Sequence, residues 1–502
     1  MVFAVLAAAF SAPILSAEPI QIHPENPKYF LFRGKPLVLL TATEHYGSVV
    51  NRPFDYKKYL EDAADKKITS TRTFLLFREQ QSSRNPYSTM KPESPDYIAP
   101  FPRTGPGKAM DGEPIYDLDQ WNPEFFERLD DFLRLASENG IIVELTLFSN
   151  SYGDGVWALN PFRAANNKQK VGDIAWQDYV SLKDKELVKR QLAYTRKVVQ
   201  ETHQYDNIYY EICNEPGGGW EGHASLEDID EWQETIGRTI RQELDKVGAK
   251  HLIAAQEAFT YKPKFEFPYK KSYQWPVIQI VNVHPLPNTT YGGRSYHMGN
   301  FMSKELMLSE VKDFCANTFH EPKPSVLDED NAATMYRDVT GWTIHRKRAW
   351  TALLNGSHYD FIDFSIVVGR PTGTEESNRL VRTWMKHLSE FIHSFDFINA
   401  KPRPDWLEHN MGPVVASTFA VDGKDYVCYL ADAREVTDGD AGEPIAGEVS
   451  FELPQGQYLL RLYSPTSGLY SPAQAVEGGK KVSIPLEPFQ HDLALRITRS
   501  GL

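Results

Sequence analysis

Two glutamates stand out as groups that could do chemistry: Glu215, in Asn214-Glu215-Pro216, and Glu329, in the acidic run Asp328-Glu329-Asp330. Two carboxylates can divide one reaction between them when their surroundings differ. One holds a proton and delivers it, while the other stays ionised and attacks. Arg72 is a candidate to keep one of them ionised by charge pairing. His284, ahead of Pro285, and the trio Glu44, His45 and Tyr46 are the other polar candidates. Each has a plain alternative. Three acids in a row commonly form a solvated loop, an arginine can simply neutralise a strand-end carboxylate, and a histidine before proline can belong to a turn. Their joint placement decides between the readings, and that depends on the elements that carry them.

The chain alternates short apolar runs with helical patterns. The runs are continuous rather than alternating, as in strands of a parallel sheet buried on both faces. They lie at Leu37–Ala42, Ile68–Leu75, Ile141–Leu147, Ile208–Cys213, His251–Ala255, Val277–Val283, Ser325–Asp328 and Phe361–Phe364. Helical patterns fall at Tyr56–Lys67, Pro123–Asn139, Lys183–His203, Leu226–Val247, Lys304–Phe319, Thr340–Asn355 and Glu376–Phe395. Asn122 is placed to cap the second of these, with Pro123 at its first position. Two stretches, Arg78–Trp121 and Ser149–Leu182, are too long for ordinary connections and read as functional loops. Eight strands alternating with helices over about residues 37–398 predict an α/β fold, a (β/α)8 TIM barrel. A doubly wound sheet fits less well, because no glycine-rich phosphate turn follows the first strand.

Active sites of such barrels lie at the C-terminal ends of the strands. His45 follows the first strand, Arg72 ends the second, Asn214 and Glu215 follow the fourth, His284 the sixth, and Glu329 the seventh. Carboxylates on the fourth and seventh strands face one another across the barrel mouth. A pair about 5–5.5 Å apart is the geometry of retaining glycoside hydrolysis, in which one acid protonates the leaving oxygen and the other attacks the anomeric carbon. Asn214 is then placed to hydrogen-bond a sugar hydroxyl.

These residues carry a resemblance. Tyr210-Glu211-Ile212-Cys213-Asn214-Glu215-Pro216 resembles the strand-four motif of glycoside hydrolase clan A, and Lys323-Pro324-Ser325-Val326-Leu327-Asp328-Glu329 its strand-seven motif. Thr71-Arg72 and Val283-His284 are similar to the clan's strand-two arginine and strand-six histidine. The resemblance spans the barrel and implies Glu215 as acid/base and Glu329 as nucleophile, with no cofactor. Tyr463-Ser464-Pro465-Thr466-Ser467-Gly468 resembles the sandwich module behind apiosidase-like and related cellulase-like barrels. Two positions depart from the clan's pattern. Leu286 stands where a tyrosine often follows the histidine, with Tyr291 the candidate to replace it. Phe364-Ser365 stands where the eighth strand usually ends in tryptophan. Trp220, Trp157 and Trp275 are candidate sugar platforms.

From about Lys401 the texture changes to strand-like runs between turns, with no helical pattern. This predicts a small all-β sandwich over 401–502 behind a barrel of 18–400. Pro402-Arg403-Pro404 is stiff and implies a fixed interface. Residues 1–17 read as a signal peptide, which implies export to the periplasm or beyond. The 502 residues carry a net charge of -13 with no Lys/Arg run, which excludes the usual nucleic-acid binder. The three cysteines, Cys213, Cys315 and Cys428, make neither a disulfide framework nor a zinc spacing. Two further readings are a carbohydrate-binding protein on a degenerate barrel, opposed by the intact glutamate pair, and a metal-dependent barrel hydrolase, which lacks His-x-His after the first strand. Calcium at Asp328–Asp330 would need three adjacent side chains to converge, although strand neighbours point to alternating sides.

Overall fold

The computed structural model describes residues 18–41, 47–76, 95–261, 264–269, 271–299, 307–330, 339–361, 375–434 and 438–501. The leader at 1–17, His45 with Glu44 and Tyr46, and Phe364-Ser365 lie outside the described residues.

Seven parallel strands run side by side in chain order: Ser70–Phe74, Ile142–Ser149, Ile208–Asn214, Ile253–Ala255, Ile280–Val283, Ser325–Asp330 and His358–Phe361. Residues 38–41 close the ring. Leu40 pairs in parallel with Tyr359 on one side, and its carbonyl accepts from the Thr69 amide at 3.0 Å on the other. The result is an eight-stranded barrel, in agreement with the expected fold class. Helices Tyr56–Asp65, Pro123–Glu138, Lys185–Thr202, Leu226–Val247, Leu308–Thr318, Val339–Leu353 and Glu375–His393 surround it. Asn122 precedes its helix, but its amide donates to the Ala99 carbonyl at 3.0 Å instead of capping. Among the described residues the crossover from the fifth to the sixth strand holds no α-helix, only short strands and a single 3-10 turn. No helix among them is long and apolar enough to cross a membrane.

Inside the barrel, the two-residue strand period stacks unlike layers. At the bottom Ile142, Tyr209, Ala254, Ile280 and Val326 pack against Phe30 and Phe32 of the N-terminal hairpin. Two residues further along these strands stand Glu144, Glu211, Asn282 and Asp328, all buried. The candidate residues sit above this polar layer. The barrel floor is therefore apolar, and the layer that supports the mouth is charged.

Behind the barrel, two antiparallel sheets form the sandwich. One runs Lys401–Pro402, Val414–Val421, Asp425–Asp432, Asp492–Arg499, Gln457–Ser464, Leu469–Tyr470, with Gln474–Glu477 also on Gln457–Ser464; the other runs Glu408–His409, Ile445–Glu452, Lys481–Phe489. Tyr426 and Cys428 face the sandwich core, whereas Val427 and Tyr429 join the barrel's hydrophobic cluster. The larger sheet is thus buried on both faces. Trp350 of the helix Val339–Leu353 stacks on Tyr429 at 5.1 Å, and Arg346 one turn earlier forks onto Asp492 at 2.7 and 2.8 Å.

Candidate active site

Arg72 organises the centre. Its inward position on the second strand buries it to 1 % exposure, so its five donors must find acceptors inside the barrel. Nε donates to Glu211 Oε2 at 2.9 Å and Nη2 to Glu211 Oε1 at 2.8 Å. Nη2 also donates to Asn214 Oδ1 at 2.8 Å. Nε lies 3.3 Å from Asp328 Oδ2, and Nη1 lies 3.3 Å from Glu329 Oε2. A single guanidinium therefore meets three carboxylates.

Asp328 and Glu329 are sequence neighbours, and on a regular strand they would face opposite ways. Here the pairing with the eighth strand slips between Leu327 and Asp330, and Glu329 adopts φ +59°. This bulge turns both side chains towards Arg72. Asp330 turns away, accepting from Arg348 Nε at 2.5 Å and Tyr359 at 2.9 Å. The three acids thus neither alternate simply nor converge on one point. Glu215 also takes a left-handed backbone, φ +45°, as does Tyr152, φ +54°. Such conformations cost about 1–3 kcal/mol in a non-glycine residue and persist where surrounding contacts enforce them.

His284 lies between the two glutamates. Its Nδ1 is 2.9 Å from Glu215 Oε1 and its Nε2 3.3 Å from Glu329 Oε2. One oxygen of each glutamate and one ring nitrogen all lie within 4.8 Å of one another. A neutral imidazole has one N–H, so it can donate to only one carboxylate and turns a lone pair on the other. A proton on the ring, or on either glutamate, removes that conflict.

Electrostatics differ from the sequence expectation. Burial pushes the Glu215 carboxyl up, but the hydrogen bond and charge of His284, the Tyr152 hydroxyl and Arg72 outweigh it and hold Glu215 below the ordinary carboxylate range. Arg72 was expected to keep one of the two glutamates ionised. It acts on both sides of the centre, and His284 is the group that biases Glu215. Beneath them Glu144 is raised well above the usual range, by burial first and then by Asp328 and Glu211. It accepts from Tyr209 at 2.7 Å and from Asn282 at 2.6 Å.

The structure brings Arg72, Asn214, Glu215, His284 and Glu329 together. It does not bring Tyr291 to them: its hydroxyl donates to Glu321 at 2.7 Å, ahead of the seventh strand and away from that strand's catalytic end. Tyr291 therefore does not replace the tyrosine missing at Leu286. Trp157 and Trp275 are packing residues, 1 % and 2 % exposed, with their indoles bonded to the Ile174 carbonyl and Glu234. Trp220 stays half-buried beside Tyr261 and Trp176, at centroid distances of 5.7 and 5.5 Å. The sequence reading missed Tyr152, whose hydroxyl accepts from Asn214 Nδ2 at 2.7 Å, and it missed Glu144, Glu211 and Asn282. A charged residue inside a continuous apolar strand was the available signal, because a buried carboxylate requires partners. Two sets of donor atoms are close enough to hold a cation, Glu215/His284/Glu329 and Glu144/Glu211/Asp328.

Comparison with known proteins fits this architecture. A family profile described as a domain of unknown function, DUF6298, matches residues 88–213, which ends just short of Asn214. No curated protein matches the chain. Among solved structures, a glycoside hydrolase family 5 protein from Bacteroides vulgatus ATCC 8482 aligns with TM-score 0.61 at 13% identity, covering 96% of this chain and 94% of that one. An endo-1,4-beta-mannanase from Rhizomucor miehei aligns with TM-score 0.50 at 15% identity, covering 75% of this chain and 100% of that one. At such identities these likenesses establish the fold, a (β/α)8 barrel followed by a β-sandwich.

Proposed function

We propose that this chain is a retaining glycoside hydrolase of the clan A type, acting on a β-linked oligo- or polysaccharide, with Glu329 as nucleophile and Glu215 as acid/base. The observation that carries the reading is the Glu215–His284–Glu329 group at the C-terminal end of the barrel, with an oxygen of each acid within 4.8 Å. That closeness suits direct attack by one carboxylate better than a water held between two distant ones.

In the first step Glu329 Oε2 attacks the anomeric carbon. The bond to the leaving oxygen breaks with its electron pair, and that oxygen takes the proton held at Glu215. Arg72, 3.3 Å from Glu329, keeps the nucleophile anionic until it attacks. In the second step water gives a proton to Glu215 and its oxygen displaces Glu329, so configuration is retained. His284 touches both acids and positions them for the two steps.

The test uses two variants. Glu329→Gly leaves room for a small anion, so it should be inactive in water and partly rescued by azide, giving a glycosyl azide of inverted configuration. Glu215→Ala should still react with good leaving groups, stall as the glycosyl-enzyme, and yield a retained azide product. Wild-type turnover in both variants would place the chemistry elsewhere.

A further inference from the structure

Glu329 faces Arg72 only because the seventh strand is bulged, and the residue after it shows what holds the bulge. Leu327 pairs with Tyr359 and Asp330 with Phe361, so the seventh strand advances three residues while the eighth advances two. The extra residue is taken up where Glu329 adopts φ +59°. A left-handed glutamate is strained and persists only where its neighbours enforce it. On one side Asp328 faces Arg72 at 3.3 Å. On the other, Asp330 is buried and gripped by the helix Val339–Leu353 and by the eighth strand.

Arg348 Nε and the Tyr359 hydroxyl both donate to Asp330 Oδ2, at 2.5 and 2.9 Å. The phenol's single hydrogen goes to Asp330, so His345 Nδ1, 3.1 Å from that hydroxyl, is the donor to it. Burial lowers the His345 pKa to about 4, which leaves a neutral ring to take this tautomer. The same ring stacks at 4.3 Å on Phe361, the residue opposite Asp330. Arg348, His345 and Tyr359 are all buried. Tyr359 is in turn fixed to the first strand: its amide donates to the Leu39 carbonyl at 3.2 Å, and its carbonyl accepts from the Thr41 amide at 3.1 Å. The grip is thus anchored where the barrel closes. Separating a buried arginine from its carboxylate costs more than holding one left-handed residue, so the pair is strong enough to impose the bulge. Neither chemical step uses these groups.

We infer that Asp330, held by Arg348 and Tyr359, is a positioning residue for the nucleophile: it pins the bulge that turns the Glu329 carboxylate onto Arg72. The inference rests on the reading of Glu329 as the nucleophile. It gives the three adjacent acids separate tasks. Asp328 pairs with Arg72 inside the barrel, Glu329 attacks, and Asp330 fixes the backbone from which the attack is aimed.

The experiment uses two variants of the full chain. Asp330→Leu combined with Arg348→Met removes both charges and puts apolar groups in their place, which leaves stability near that of the wild type. Tyr359→Phe removes one hydroxyl and keeps the ion pair, so it serves if the double variant fails to fold. The probes are 2,4-dinitrophenyl 2-deoxy-2-fluoro-β-glycosides of gluco, manno, galacto and xylo configuration. Their leaving group needs no proton, so the rate at which they trap the glycosyl-enzyme reports attack by Glu329 alone. The maximal trapping rate should fall about a hundredfold in the double variant and about tenfold in Tyr359→Phe, while the half-saturating concentration stays within about twofold of wild type. Crystal structures should show Glu329 displaced from Arg72 in both, further in the double variant. In either variant, a trapping rate within about twofold of wild type, or a structure in which the Glu329 backbone and its contact with Arg72 are unchanged, overturns the inference. If no glycoside traps the wild type, the hydrolase reading loses its support, and the crystal structures alone decide whether Asp330 pins the bulge.

Discussion

Arg346 and Arg72 are both buried beside carboxylates, and they are held in opposite ways. Arg346, at the junction with the sandwich, has one carboxylate, Asp492, which it meets bidentately and which also accepts from Tyr429 at 2.8 Å. Its guanidinium lies over the Trp384 ring at 4.3 Å. Charge is matched and the backbone around it is regular helix. Arg72 meets Glu211, Asp328 and Glu329 together, two of them on a bulged strand end, and burial, then the charges of Asp328 and Glu211, raise the nearby Glu144 carboxyl well above the usual range. The contrast separates structure from chemistry. A junction can be optimised for stability alone, whereas the barrel mouth gathers several carboxylates on one guanidinium and carries left-handed backbone at Glu215 and Glu329.

The largest expected effect tests whether Arg346 is purely structural. Arg346→Met should cost about 3–5 kcal/mol of stability, because Asp492 is left buried and uncompensated. Adding Asp492→Leu should recover most of that loss, since replacing both members of a buried pair by apolar residues is often neutral. Denaturant unfolding would measure both, and kcat per folded molecule should not change in either. A double variant as unstable as the single would mean the pair is not balanced as described.

At Arg72 the sensitive readout is activity. Arg72→Lys keeps the charge but loses the planar fork that serves Glu211, Asn214 and Glu329 together. We expect kcat/KM to fall about a hundredfold, roughly 2.7 kcal/mol of transition-state stabilisation. Arg346→Lys should leave kcat/KM within about twofold of wild type. Equal losses at the two positions would erase the distinction between them.

Tyr152→Phe is expected to be milder. The ring is 36% exposed, so stability should hardly move, but the hydroxyl supports Asn214 and helps hold the Glu215 carboxyl down. Its removal should lower kcat/KM about tenfold, near the value of one hydrogen bond to a charged group. It should also raise the Glu215 pKa, moving the alkaline limb of the pH profile, where the acid loses its proton, to higher pH. A shift to lower pH would contradict the role of Tyr152.

The sequence carried more of the barrel than of its support. Eight strands were legible because a parallel sheet buried on both faces writes itself as apolar runs, and the candidate acids were legible because each follows such a run. Two neighbouring strand residues facing the same cation were not, since that depends on a bulge at Asp328–Glu329 that has no sequence signature of its own. Tryptophans were ambiguous for a similar reason. Residue type does not tell Trp275, locked onto Glu234, from Trp220, left open beside Tyr261; only the folding of long loops does. Glu144 and Glu211 were within reach, because charges inside apolar runs signal a buried network, but their link to Arg72 needed the closed barrel.

The smallest expected effect comes from that buried layer. Glu144 is buried and faces Asp328 and Glu211, so its folded pKa lies well above that of an unfolded glutamate, about 4.3. The folded state then binds a proton that the unfolded state releases. The stability gained is complete below about pH 4.3 and is lost as pH rises towards the folded pKa, with a slope of at most about 1.4 kcal/mol per pH unit. Glu144→Gln imitates the protonated acid: its carbonyl can accept from Asn282 and its amide can donate to the Tyr209 oxygen. At acidic pH the variant should match the wild type within about 1 kcal/mol, and the difference in its favour should grow with pH. Urea midpoints measured from pH 5 to pH 9 would follow this. A variant that loses ground as pH rises would mean that Glu144 is ionised in the folded barrel, and that Arg72 balances more negative charge than the layer described here contains.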